Sequence, residues 1–139
     1  MHLEGAAKLN RQLTRLPGSV RGSVLRRAVE VGAEPIAEEM RRLVPVRRGG
    51  LRNSIGTRIR DEGPDVAVAD IGPLRGPKGG GAHAHLVEFG TGPRQTDTGA
   101  YRGEMPAQPF MRPAAHNKRS EAVRRLQSEL RRGILRVAR

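Results

Sequence analysis

The segment His83-Ala84-His85-Leu86-Val87-Glu88-Phe89-Gly90-Thr91 and, beyond a loop, Pro106-Ala107-Gln108-Pro109-Phe110-Met111-Arg112-Pro113-Ala114 decide how this chain is read. Phe89 and Phe110 sit one in each segment, in a sequence only 2% aromatic, so the two rings are expected to anchor the core. Residues 84–90 form a short apolar run closed by a glycine, read as a strand. Gly90 and Gly92 allow a sharp exit from it. Pro106, Pro109 and Pro113 then hold an extended stretch outside any helix or sheet interior, pinning Phe110 inward before the last helix begins. Glu88 is the one acid inside the apolar run. It is expected to pair with an arginine or to cap a neighbouring backbone rather than to act as a general base.

Outward from these segments, both ends of the chain are helical in pattern. Leu3, Leu9, Leu13 and Leu16 recur at loosely helical spacing until Pro17-Gly18 breaks the run. Ser19 or Ser23 is placed to cap a second helix. Along it Val20, Val24, Ala28, Gly32, Ile36 and Met40 form one face, widened by Leu25, Val29, Leu43 and Val44. Pro35 is expected to kink this helix or start a new one, and Pro45 to end it. At the other end Val123, Leu126, Leu130, Ile134 and Val137 make an apolar stripe from about 116 to 138, opposite a face rich in arginine. Between the helices, Ile55, Thr57 and Ile59 alternate with Gly56, Arg58 and Arg60. Asp61-Glu62-Gly63-Pro64 turns the chain, and Val66, Val68 and Asp70-Ile71 continue it, as in an antiparallel hairpin. Residues 72–82 and 92–106, rich in glycine and proline, are expected to be mobile loops. The order helices, strands, helix predicts an α+β fold: N-terminal helices, a small antiparallel sheet of about three to four strands with long loops, and a basic C-terminal helix.

The 139 residues fit one domain, residues 1–139. Only 36% are hydrophobic, against roughly 45–50% in globular chains, which suggests either flexible segments or burial supplied by neighbouring subunits. The net charge of +12 makes a polyanion the expected neighbour. Of the 26 basic residues only Lys8, Lys78 and Lys118 are lysines, and arginine's planar fork suits phosphate. A GC-rich genome would also encode such an arginine excess. There is no cysteine, so neither disulfides nor thiolate metal sites can form. The N-terminus has no signal pattern and no run reaches membrane-spanning length, which predicts a cytoplasm-like compartment and no membrane partner.

Chemistry is sparse. Gly76-Pro77-Lys78-Gly79-Gly80-Gly81 lacks the Gly-Lys-Ser/Thr ending and the strand–loop–helix setting of a phosphate loop. His83 and His85 lack the further ligands a metal needs, and His2 and His116 stand alone. No serine or threonine has a plausible His-Asp pair. No catalytic, metal or cofactor residues are therefore assigned, and an enzyme is not expected. Single-strand stacking platforms and a helix-turn-helix are likewise missing, so any DNA contact would be through phosphate charge alone.

Three ordered motifs carry a resemblance. Val44-Pro45-Val46-Arg47-Arg48-Gly49-Gly50-Leu51-Arg52-Asn53-Ser54-Ile55 resembles the helix end "Pro-Val-x-Thr-Gly-x-Leu-x-x-Ser-Ile" of the tail-completion, or head–tail joining, family of long-tailed phages, with Gly49 replacing or displacing the usual Thr. His83-Ala84 through Val87-Glu88-Phe89-Gly90-Thr91 resembles a second family motif, with His83 in a position often held by Tyr. Pro106 to Ala114 resembles the third. The likeness spans roughly residues 20–135.

It implies that Pro45, Leu51, Ser54, Glu88, Phe89, Gly90, Thr91, Pro109, Phe110 and Pro113 specify the fold and its assembly. It also implies a structural virion protein assembled in the bacterial host cytoplasm. That protein would be a homo-oligomer, a hexameric ring at the neck or head-proximal tail end, touching connector and tail-tube proteins, with double-stranded DNA passing through its lumen. In such a ring Arg75, Lys78, Arg124 and Arg131 are expected at the channel or at an inter-ring contact. The alternative is a small basic protein that binds nucleic acid without reading sequence.

Overall fold

A computed structural model describes residues 5–75 and 80–139. The fold is α+β. Helices α1 (Ala6–Thr14), α2 (Gly18–Leu43) and the short α3 (Gly50–Ser54) lead into strands β1 (Ile55–Asp61) and β2 (Ala67–Pro73). Helix α4 (Ala84–Phe89) and the long α5 (Met111–Val137) follow. The two strands pair as an antiparallel hairpin closed by the Glu62 amide on the Val66 carbonyl at 3.0 Å. The sheet thus has two strands rather than three or four.

The chain divides into two compact units. The first contains the described residues up to Pro35, Thr57–Asp70 and Arg119–Arg139. The second contains Ile36–Gly56 and the described residues of Ile71–Lys118. The boundaries fall inside α2, inside the hairpin and inside α5.

In the first unit the helical stripes meet. Leu9 and Leu13 of α1, Val24 and Ala28 of α2, and Leu130 and Ile134 of α5 are buried together, with Leu16, Val20, Leu25 and Leu126 around them. Val137, the last residue of the predicted stripe, is exposed at the helix end. The tight approach of α2 and α5 in this unit needs Gly32. A Cβ there would lie 2.9 Å from the Leu126 Cβ and 3.0 Å from the Ala122 carbonyl oxygen. Gly32→Ala gains about 1 kcal/mol in helix propensity but forces the helices apart, an overpacking cost of typically 1–3 kcal/mol. The expected net is a destabilisation of about 1 kcal/mol. A urea midpoint that rises in this variant would show that the contact has slack.

The unit's hairpin is tied by surface ion pairs. Arg60 forks onto Asp70 at 2.6 and 3.1 Å and also reaches Glu62 at 2.6 Å. Arg26 meets Asp61 at 3.0 Å and Arg21 meets Asp65 at 2.7 Å. The Arg60 bond holds the Asp70 carboxyl below its usual range. Such exposed pairs each contribute under about 1 kcal/mol.

In the second unit Phe110 and Ala114 pack with Ala37, Met40, Val44, Ile55 and Ala84, ringed by Ile36, Leu43, Leu51, Ile71, Val87 and Met111. Phe110 is fully buried. Glu39 is also buried, and the Arg42 guanidinium grips it bidentately at 2.9 and 2.6 Å. That bond outweighs burial and, helped by Asn117 and the charges of Arg42 and Lys118, pulls the Glu39 carboxyl down to about 2.

Four expectations are corrected here. Residues 84–89 are helical, not a third strand. A strand would alternate its faces, whereas this segment buries Ala84 and Glu88, four residues apart, as one turn of helix does. Phe89 consequently points outward and is 61% exposed, so it does not anchor the core. Helix α5 begins at Met111 and takes in Pro113, which its first turn tolerates because no intrahelical partner exists there for the missing N–H. Helix α2 passes through Pro35 without ending, so no new helix starts there. Residues 92–106 double back on themselves, with bridges Thr91 to Met105 and Gln95 to Tyr101.

Candidate functional site

The second unit gathers all three sequence motifs. Its organising group is Glu88, 3% exposed. One carboxylate oxygen accepts the Phe110 amide at 2.7 Å and the Met111 amide at 2.9 Å, and the other accepts the Arg112 amide at 3.1 Å. A helix leaves its first amides without intrahelical acceptors, and its N-terminal dipole favours an anion. Glu88 answers both needs for α5 from 22 residues upstream. Of the two partners expected for this acid, an arginine or a neighbouring backbone, the hydrogen bonds go to the backbone. Burial alone would push the carboxyl up. The bonds from Met111, Phe110 and Arg112, with the Arg112 charge, outweigh burial and leave it below its ordinary value.

Residues 105–110 form a strap fixed at several points. The Gln108 amide donates to the Val87 carbonyl at 2.8 Å. The Thr91 amide donates to the Met105 carbonyl at 2.8 Å, and the Thr91 hydroxyl accepts the Met105 amide at 2.9 Å. The turn into this arrangement is Gly90, with φ of 74°. A Cβ there would sit 2.7 Å from both the Ala107 nitrogen and the Met105 carbonyl oxygen, so no other residue fits. Gly92 has a different role from the one expected, since a Cβ there would meet open space. Phe89 lies on the surface beside this strap with the Arg112 guanidinium 5.2 Å from its ring centre, a cation–π contact.

The first motif closes the arrangement. The Ser54 hydroxyl donates to the Leu51 carbonyl at 2.6 Å, and the Ser54 carbonyl accepts the Leu74 amide at 2.8 Å. Leu51 packs against the core, and Pro45 stands at the edge of a groove. That groove, about 850 Å³, is lined by Pro45, Leu51, Val87, Met105, Gln108 and His83 together with Arg47, Arg48 and Arg52 and the glycines at 49, 50 and 80. It is the feature on which the three motifs converge. A second, smaller hollow of about 530 Å³ lies along Phe89, Pro109, Arg112, Pro113 and His116.

Pro45, Leu51, Ser54, Glu88, Phe89, Gly90, Thr91, Pro109, Phe110 and Pro113 all belong to this one unit. The basic residues singled out in the sequence are spread more widely. Arg75 is exposed in the second unit, Arg124 and Arg131 are exposed on α5 in the first, and Lys78 lies outside the described residues. Sequence reading passed over Arg47, Arg48 and Arg52 as groove residues, although they sit within the first motif. Among the described residues no group of three His, Asp or Glu side chains is placed to hold a metal ion, and no helix is long and apolar enough to cross a membrane.

The buried acids of this unit are thus engaged in its internal hydrogen bonds, Glu88 with the amides at the start of α5 and Glu39 with Arg42. Over residues 7–90 the sequence matches the family described as "Bacteriophage HK97-gp10, putative tail-component", and the chain belongs to that family. It is accordingly a phage structural protein, a tail component of the virion. The match covers the first motif and the second as far as Gly90, and Pro106–Ala114 lies beyond it. No curated protein and no solved structure matches the chain significantly.

Proposed function

We propose that this chain is a ring-forming subunit at the head–tail junction or head-proximal tail end of a tailed phage or phage-like particle. The ring is hexameric, meets connector and tail-tube proteins, and lets double-stranded DNA pass. The observation that carries this reading is Phe89: a residue of a family motif, in a chain with two phenylalanines, left 61% exposed. Tyr101 is 65% exposed as well. A lean chain that leaves its large rings outside gains the missing burial from neighbouring copies. Rings use heterologous contacts that close by rotation. The charge of +12 suits a lumen that conducts DNA, with Arg75, Lys78, Arg124 and Arg131 facing it or the adjoining ring.

Light scattering on the purified chain, followed by negative-stain imaging, tests this. Rings with a central hole are expected, and Phe89→Ser is expected to lower the subunit number without unfolding the chain. A monomer that binds duplex DNA with steep salt dependence would instead support the alternative, a sequence-independent nucleic-acid-binding protein.

A further inference from the structure

We infer that the basic groove of the second unit is a docking site for an acidic peptide segment of another protein, an apolar side chain flanked by carboxylates. This deepens the assembly reading and rests on it only in taking the owner of that segment to be another component of the particle. The groove has two chemistries. Its half-buried residues, Leu51, Val87 and Met105, are apolar, while the fully exposed ones include Arg47, Arg48 and Arg52. Among the described residues no acidic side chain lines it. Elsewhere Arg21, Arg26, Arg27, Arg42, Arg60, Arg125 and Arg132 sit in ion pairs, but these three have no ion-pair partner among the described residues. Uncompensated cations around an apolar floor are the complement of an acidic, partly apolar chain.

Two other occupants fit less well. Duplex DNA offers a column of phosphates, while its apolar groups, the sugar carbons and thymine methyls, are part of a smooth rigid surface with no projecting side chain to fill the space over Leu51, Val87 and Met105. A second copy carries the same charge of +12, the acids of its exposed hairpin turn are engaged, Asp61 by Arg26 and Asp65 by Arg21, and its exposed Asp97 and Glu104 stand singly in a loop that also carries Arg94 and Arg102. The volume of about 850 Å³ is that of a site for a short extended segment.

The test is amide-shift mapping on the whole, isotope-labelled chain, titrated with a short synthetic peptide of glutamates around a central leucine. Shifts confined to Arg47–Arg52, His83, Val87 and Met105 are expected. Replacing the peptide's leucine with serine should weaken binding about tenfold. The triple variant Arg47→Ser/Arg48→Ser/Arg52→Ser should also weaken it about tenfold, with an unchanged melting curve because all three side chains are exposed.

Four results would each overturn the inference. The peptide could fail to bind at millimolar concentration, or the leucine and serine peptides could bind alike. A short DNA duplex could occupy the same residues more tightly than the peptide. The triple variant could change the subunit number in light scattering, which would make a second copy the occupant. Because the peptide is read on the chain itself, its failure leaves ring formation standing, and failure to form rings leaves this site standing.

Discussion

Phe110→Ala is expected to destabilise the second unit by about 3–5 kcal/mol, the range for removing a fully buried aromatic ring. The core around Phe110 holds three alanines, Ala37, Ala84 and Ala114, and the ring is one of the two largest fully buried side chains among the described residues. No other aromatic side chain can take its place, since Phe89 and Tyr101 are both on the surface. Alanines have no side-chain freedom with which to collapse into the space, so the cavity term adds to the lost transfer energy. Against a total stability of typically about 5–15 kcal/mol, such a loss removes a large share. Urea unfolding followed by circular dichroism should show the midpoint falling steeply, with Phe110→Leu falling much less because it keeps most of the apolar volume. A loss under about 1 kcal/mol for Phe110→Ala would mean that the unit repacks around the gap.

The sequence made the long elements legible because their burial is one-sided. Leu9 and Leu13, Val24 and Ala28, and Leu130 and Ile134 lie at helical spacing, and each pair is buried as that spacing requires. The hairpin was legible from the alternation at Ile55, Thr57 and Ile59. Residues 84–89 were not. A six-residue apolar run fits either a strand or a buried turn of helix, and only its inward face decides. Here that face includes a glutamate, which makes sense only once the amides of Phe110, Met111 and Arg112 are known to lie against it. Pattern reading cannot see a partner so far along the chain. The same separation hid the groove: Arg47, Arg48 and Arg52 read as a basic loop until His83, Val87 and Met105 arrive from later segments. Phe89 misled for another reason. Aromatic residues are core formers on average, but on this one turn of helix the inward positions go to Ala84 and Glu88 and the ring is left outside, under Arg112.

Glu88→Ala is expected to cost about 2–4 kcal/mol, combining the loss of a helix cap with amides left unsatisfied in and beside the core. The Phe110 amide is buried and loses its acceptor outright, while those of Met111 and Arg112 sit nearer the surface, where water can replace part of the loss. Glu88→Gln keeps the shape and one accepting oxygen but not the charge, so it should fall between the two. The carboxyl's folded value lies below its ordinary one. Its contribution is therefore complete above the unfolded-state value, about 4.3, and is lost as pH falls through the lower folded value. Glu39, held at about 2 by Arg42, adds a loss of the same sign as the pH approaches that value. Urea midpoints measured between about pH 6 and pH 2 should thus fall in the parent chain, and fall less in Glu88→Ala, which has already lost the part that Glu88 contributes. The two curves should approach each other at the acid end. Parallel curves would mean that the carboxylate's charge does not hold the α5 terminus, and the strap at residues 105–110 would then owe its position to Gly90, Thr91, the Gln108 amide on Val87 and the buried Phe110 ring.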